Sequence, residues 1–132
     1  MPTIFTRIIE GELPGRIIYR DDQCAAFLTI EPLRPGHTLV VPIAEVDDWL
    51  DLDPDLAAHL MMVAQRIGKA IDVVWKPTRV AMMIVGLEVP HVHIHITGID
   101  SERDLDFSLV DRNASATSLD DAAERLRRVL DG

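Results

Sequence analysis

The chain has 132 residues, of which 48% are hydrophobic, and its net charge is -9 at neutral pH. This length predicts one globular domain, and the negative charge argues against broad binding to nucleic acid or to an anionic membrane. No run approaches the roughly 20 apolar residues that span a bilayer. Because the single cysteine, Cys24, cannot form an internal disulfide, a reducing compartment is favoured and we expect a cytoplasmic protein.

The first third of the chain predicts one short helix and three strands. The apolar residues within 4–9 have helical spacing, and Gly11 helps to end that helix. Residues 17–19 and 24–28 predict the two strands of a hairpin around an aspartate pair. After a loop with proline and glycine, residues 37–42 form a β-rich run that ends in proline.

The middle of the chain predicts one long helix followed by a buried strand. Asp53 suits the N-cap of this helix and Pro54 suits its first position. The apolar residues that follow keep a 3.6-residue period as far as Pro77. Residues 80–85 are almost continuously apolar, which predicts a central strand buried on both faces.

The last third predicts a strand, a polar region and a final helix. Residues 86–90 form a short bend, and residues 91–96 continue as a strand. In the polar region 99–117, alternating apolar residues at 105, 107 and 109 predict a short strand, and residues 118–121 resemble an acidic capping box that opens the final helix. The order of elements predicts an α+β fold with an antiparallel sheet.

Three of the five histidines alternate with β-branched residues in the segment 91–96. In a strand, His91, His93 and His95 would emerge on one face of the sheet, and the alternate residues would face a core. Such a row has three interpretations. The histidines are buried structural residues, or ligands of a metal such as zinc, or nucleophilic and acid–base groups.

Several motifs, in their order and spacing, resemble the histidine triad (HIT) family, and more narrowly its nucleotide-binding branch and an actinobacterial subgroup with a shortened bend before the triad. The resemblance spans roughly residues 3–98, which leaves 99–132 as a C-terminal extension of the same domain. The motifs are Ile4-Phe5 with Ile8-Ile9, Gly11-Glu12-Leu13-Pro14, Tyr19-Arg20-Asp21-Asp22, Ala26-Phe27 and the segments 35–42 and 91–96.

The resemblance implies a five-stranded antiparallel sheet, one long helix, short terminal helices and a homodimer with a continuous sheet. It implies that His93 attacks phosphorus, that the His91 carbonyl receives the Nδ1 proton of His93, and that His95 bonds phosphate or leaving-group oxygens. His37 would support the triad. The residues that match positions around the nucleotide base are Ile4, Phe5, Ile8, Phe27 and Ile30.

The chain departs from the family pattern at three places. Thr29 stands where an aspartate usually holds the ribose hydroxyls, so ribose binding loses a charged partner. The loop before the triad is cut to residues 85–90, and Glu88 places a negative charge near the expected phosphate. Thr3 and Thr6 stand where many bacterial relatives carry paired zinc-binding cysteines, so we expect no structural zinc and no cofactor.

Two functions from different classes follow. The first is a hydrolase or transferase of nucleoside-monophosphate-like phosphoramidates or anhydrides, acting through a nucleotidyl-histidine intermediate. The alternative is a catalytically weak module that binds a nucleotide or another phosphate ligand. His59, on the long helix, is interpreted as a surface or helix-face residue without a role in either function.

Overall fold

A computed structural model describes residues 2–132, which form eight principal elements around one antiparallel sheet. The elements are α1 (Ile4–Ile9), β1 (Ile17–Arg20), β2 (Cys24–Leu28), β3 (Thr38–Pro42), α2 (Pro54–Trp75), β4 (Arg79–Ile84), β5 (Ile94–Ile99) and α3 (Ala116–Asp131). The sheet has five strands in the order β1-β2-β3-β5-β4, which confirms the predicted α+β architecture.

Helix α2 begins and ends as its local chemistry predicts. The Asp53 side chain accepts a hydrogen bond of 2.8 Å from the Asp55 amide, and Pro54 occupies the first turn, where an amide proton is not needed. Lys76 ends the helix in the left-handed conformation, with φ of 49°. Across residues 2–132, no helix has the length and apolar character needed to cross a membrane.

The two faces of the sheet carry two separate apolar clusters. On one face, α2 and α3 cover alternate strand residues that include Ala26, Val40 and Ile94. On the other face, α1 packs its Phe5 against residues of opposite parity, which include Phe27. The period of two along each strand therefore separates the large core from the face on which the histidines lie.

The strand predicted at residues 80–85 is not central. It is β4, an edge strand whose only partner within residues 2–132 is β5. Met82 on β4 is 45% exposed, and Met61 and Met62 on the neighbouring α2 are also exposed. A continuous apolar run is typical of a central strand, but an edge strand that exposes apolar side chains in the single chain has the same pattern. The run alone therefore does not distinguish the two positions.

Two element boundaries and one predicted strand also differ from the predictions. Strand β5 begins at Ile94 and not at residue 91, because the preceding backbone pairs with another segment: the Val92 amide donates to the Val46 carbonyl over 2.8 Å. The strand predicted around 105–109 is wrong, since Glu102–Leu105 and Phe107–Leu109 are short 3₁₀ helices whose starts are capped by side chains. Helix α3 starts earlier than predicted, because Ser115 and not Ser118 is its N-cap.

Candidate active site

His91 is fully buried beneath the site and is fixed through both ring nitrogens. Its Nε2 donates to the Pro42 carbonyl over 2.8 Å. A neutral ring then has an unprotonated Nδ1, which accepts from the Thr3 hydroxyl over 2.6 Å. His91 is therefore a structural anchor that joins the N-terminus of α1 to the end of β3.

The His93 ring is fixed on one side and free on the other. Its Nδ1 donates to the His91 carbonyl over 2.8 Å, so the lone pair of the neutral ring lies on Nε2. The edge-to-face contact with Phe5, with centroids 4.9 Å apart, restricts rotation of this ring. His93 lines an open cavity. Its Nε2 makes no hydrogen bond within residues 2–132, and every buried side-chain nitrogen in this range has a partner, so Nε2 is not buried and faces the cavity.

His37 and His95 form a second chain of hydrogen bonds whose direction is set by the backbone. The Leu33 amide donates to Nδ1 of His37 over 3.0 Å, which places the proton of the neutral ring on Nε2. That Nε2 lies 3.0 Å from Nδ1 of His95 and donates to it. The proton of His95 consequently lies on its own Nε2, which makes this nitrogen a donor beside His93.

Burial keeps all three cavity histidines neutral at physiological pH. Burial, together with the nearby His95, lowers the pKa of His37 to about 3. Burial and then His93 lower the pKa of His95 to about 4. The pKa of His93 is also lowered by burial, although its bond to the His91 carbonyl and the negative charge of Glu88 act in the opposite direction. A neutral His93 keeps its lone pair available.

The histidines open onto a cavity of about 440 Å³. Of the residues predicted from the sequence, five line it together: His37, His93, His95, Thr29 and Glu88. The Thr29 hydroxyl accepts a bond of 3.2 Å from the Glu31 amide. Two of the three departures from the family pattern, at Thr29 and Glu88, therefore lie in the same cavity as the histidines.

The residues matched to the base-binding positions do not line this cavity. Phe5 and Phe27 are buried in the apolar cluster under α1, where their rings lie 5.6 Å apart. Ile8 is partly buried against the same cluster, whereas Ile4 and Ile30 are 49% and 68% exposed. Of these five, Phe5 reaches the site indirectly, through its ring contact with His93.

The segment after β5 contributes residues to the cavity that the sequence pattern did not identify. Phe107, Ser108, Val110 and Arg112 all line the cavity, and the Phe107 ring meets His95 edge-on with centroids 5.1 Å apart. The segment is tied back where the Asp111 amide donates to the Pro32 carbonyl over 2.9 Å. The one signal in the sequence was an aromatic residue within an otherwise polar region.

Three charged residues lie around the cavity mouth. Arg112 makes an ion pair of 3.0 Å with Glu31, and both side chains are substantially exposed. Glu88 is exposed in the shortened loop beside Leu87, which is 89% exposed. The mouth therefore presents two carboxylates and one guanidinium to an incoming ligand.

The threonines at the N-terminus form a hydrogen-bonded cluster. The Thr3 amide donates to Glu45 over 2.9 Å, and the Thr3 hydroxyl accepts from the Thr6 amide over 3.2 Å while donating to His91. Zinc prefers thiolate, imidazole or carboxylate ligands, and neutral hydroxyls are poor substitutes. This donor set therefore does not fit the zinc that paired cysteines would hold, and hydrogen bonds join α1 to His91 instead.

The HIT domain model matches residues 10–102. An uncharacterized HIT-like protein of Methanocaldococcus jannaschii is 36% identical over 100 residues, which cover 70% of this chain and 75% of that protein.

Two solved structures are similar over almost the whole chain. One is a HIT-like protein of Bartonella henselae described as involved in cell-cycle regulation, with a TM-score of 0.83, 27% identity, and coverage of 96% of this chain and 95% of the other. The second is a zinc-bound histidine triad family protein of Mycobacterium smegmatis, also with a TM-score of 0.83 and 27% identity, and coverage of 97% and 92%.

Proposed function

The chain belongs to the HIT family, and on this basis we propose that it is a hydrolase or transferase acting on nucleoside-monophosphate-like phosphoramidates or anhydrides. Within the family we assign it to the nucleotide-binding branch, in the actinobacterial subgroup with a shortened loop at 85–90. The observation that carries the proposal is the bond from His93 Nδ1 to the His91 carbonyl, which leaves Nε2 as a nucleophile at the cavity.

The proposed first step forms a bond from His93 Nε2 to phosphorus and breaks the bond between phosphorus and the leaving group. The ring becomes cationic as it attacks, and the His91 carbonyl stabilises that charge through the Nδ1 proton. His95 donates its Nε2 proton in a hydrogen bond to a phosphoryl oxygen, and the leaving group takes a proton from water. Water then attacks phosphorus, the bond between phosphorus and Nε2 breaks, and His93 is again neutral; the proton released by this water neutralises the hydroxide left when the leaving group was protonated.

The chain of bonds through His37 supports this role of His95. If His37 did not donate to Nδ1 of His95, the proton of His95 could occupy either ring nitrogen. With the proton on Nδ1, His95 would have no donor on Nε2 for the substrate. The backbone amide of Leu33 prevents this by holding His37 in one tautomer. His37 is therefore a positioning residue in the proposed mechanism.

The decisive experiment is to trap the covalent intermediate. The protein is mixed with a nucleoside phosphoramidate labelled in its phosphate, quenched, and mapped by mass spectrometry. We expect an acid-labile nucleotidyl group on His93, and neither adduct nor turnover in His93→Asn. Arg128→Gln is the control, because Arg128 is an exposed residue outside the cavity. Unchanged turnover in His93→Asn would refute the proposal.

A second candidate is a module that binds a phosphate ligand with little or no turnover. It is favoured by Glu88 and Glu31 at the cavity mouth, since a carboxylate near a phosphate opposes its binding and the charge that develops during transfer. Saturable binding of a nucleoside monophosphate, without any adduct on His93, would identify this function.

We also propose that the protein is a homodimer in which β4 pairs with β4 of a second chain. A groove of about 430 Å³ runs between α2 and β4, and the exposed Met61 and Met82 line it. An uncovered apolar edge strand is a site for pairing. Light scattering is expected to give twice the chain mass, and Met82→Lys to shift it toward the monomer.

We also propose that the protein is cytoplasmic. In that reducing compartment its cysteine, Cys24, is not drawn into a disulfide.

A further inference from the structure

A second cluster of reactive side chains lies away from the histidine cavity, where the β1–β2 turn meets α2. Asp21 and Cys24 flank the turn, and His59 lies on α2. One carboxylate oxygen, one sulfur and one ring nitrogen from these residues all lie within 4.8 Å of one another. None of the three lines the cavity of the proposed reaction.

The two oxygens of Asp21 have different surroundings. Oδ1 accepts the amide protons of Gln23 and Cys24, each over 2.8 Å, so the turn itself fixes the carboxylate. Oδ2 is approached by the Tyr19 hydroxyl and by His59 Nε2, each at 2.7 Å, and by the Cys24 sulfur at 3.8 Å. Three proton donors therefore converge on one anionic oxygen that is already oriented from behind.

We propose that Asp21, Cys24 and His59 bind a divalent transition-metal ion of the zinc type. Oxygen, sulfur and imidazole nitrogen are the three ligand classes of zinc, and two ligands separated by two residues on one turn have a common zinc spacing. A carboxylate ligand held by backbone amides has the support that metal sites usually require. A water molecule completes the coordination sphere.

The distances are compatible with a tetrahedral ion. Ligand atoms around zinc lie roughly 3.3–3.8 Å apart, as bond lengths of 2.0–2.3 Å require. The separation of 3.8 Å between Cys24 Sγ and Asp21 Oδ2 is already at the upper end of this range. His59 Nε2, now at 2.7 Å from Oδ2, must withdraw by less than about 1 Å, and its side chain has room because it is 21% exposed.

Access and local charge also favour a cation. The Asp21 and His59 side chains are each 21% exposed and offer an entry path, while Cys24 closes the site from the core. Asp22 adds negative charge on the same turn. Arg66 lies 5.3 Å above the Tyr19 ring and is turned to the Leu130 carbonyl, to which it donates. On binding, the thiol proton passes to solvent and the remaining proton of His59 resides on Nδ1.

The proposed site is separate from the N-terminal threonines, for which we expect no zinc. An ion there would tie the β1–β2 turn to α2 and so stabilise the folded chain in proportion to its occupancy. The site does not depend on the reaction proposed for His93, so the two proposals can fail independently.

Cobalt titration tests the site directly, because Cys24 is the only cysteine in the chain. A thiolate-to-cobalt charge-transfer band can therefore come from no other position. With the reduced protein, we expect this band to saturate near one equivalent of Co²⁺ and to disappear when Zn²⁺ is added. It should be absent in Cys24→Ser and should persist in His93→Ala.

The other two proposed ligands, His59 and Asp21, are tested by measuring the affinity for Co²⁺. His59→Ala and Asp21→Asn should each weaken cobalt binding at least about tenfold, and far-ultraviolet circular dichroism checks that each variant is folded. Asn at position 21 can still accept the two amide protons of the turn, so it removes the charge with little change of shape. Absence of the band in the wild-type protein at excess Co²⁺ overturns the proposal, as does unchanged affinity in both variants.

Discussion

Acidification should destabilise this protein well above the pH at which most of its carboxylates titrate. Folding moves the pKa of His37 from 6.5 to about 3 and that of His95 from 6.5 to about 4, chiefly through burial. Below pH 6.5 the unfolded chain therefore binds protons at these rings while the folded chain does not. Stability contributed by the neutral rings is complete above pH 6.5 and is lost as the pH falls toward 4 and then 3.

The size of the effect follows from the width of that window. One histidine that stays neutral in the folded state costs about 1.4 kcal/mol for each pH unit below its unfolded pKa. Between pH 6.5 and 4.5 the loss is about 2 kcal/mol for His37, and somewhat less for His95 because solvent reaches part of that ring. The sum is a large share of the 5–15 kcal/mol that stabilises a typical domain, taken as an order-of-magnitude guide.

The assay is urea unfolding followed by circular dichroism at several values between pH 7 and 4.5. The wild-type free energy of unfolding should fall steeply over this range, and His37→Gln/His95→Gln should show a slope smaller by roughly 1–2 kcal/mol per pH unit. Both proteins retain the same carboxylates, so the difference isolates the two rings. Equal slopes in the two proteins would refute the inference that these histidines are buried in the neutral form.

Three further predictions concern the cavity and its anchor. The acid limb of kcat/KM for a phosphoramidate should lie below pH 6.5, because the pKa of His93 is lowered, and Glu88→Gln should move it lower still; a limb above 6.5 would contradict this. Arg112→Gln should raise KM several-fold while changing the urea-unfolding free energy by less than about 1 kcal/mol, since its ion pair is exposed; the surface variant Arg128→Gln should leave both unchanged. Thr3→Val should cost about 1 kcal/mol in urea unfolding, because it removes the cap of α1, and should also lower kcat through His91; full activity would show that the anchor does not matter.

Local patterns predicted the parts of this fold that depend on nearby residues. Asp53 and Pro54 start α2 as expected because capping needs one side chain and the next two amides. The alternation around Ile94 and Ile96 assigned these residues to the core because strand side chains alternate between faces by geometry. The same alternation placed His93 and His95 opposite the large core and at one cavity.

Other features depend on contacts between distant segments, and the sequence pattern does not contain them. Residues 105–109 alternate like a strand, but capping by Ser101 and Asp106 turns them into 3₁₀ helices beside His95. His59 reads as a surface residue on its helix, yet the hairpin turn brings Asp21 within 2.7 Å of it. Neither contact follows a period or a spacing along the chain from which it could be predicted.

The order of residues by itself determined the long helix, the parity of the sheet and the row of histidines that meets the cavity, because each is set by neighbours within a few positions. Only the tertiary structure decided which nitrogen of each ring carries the proton, since the Pro42 carbonyl, the Leu33 amide and the Thr3 hydroxyl come from other segments. It also decided that residues of the C-terminal extension line the cavity and that β4 lies at an edge. Hydrogen-bond direction and burial are properties of packed surfaces, and they exist only once the chain has folded.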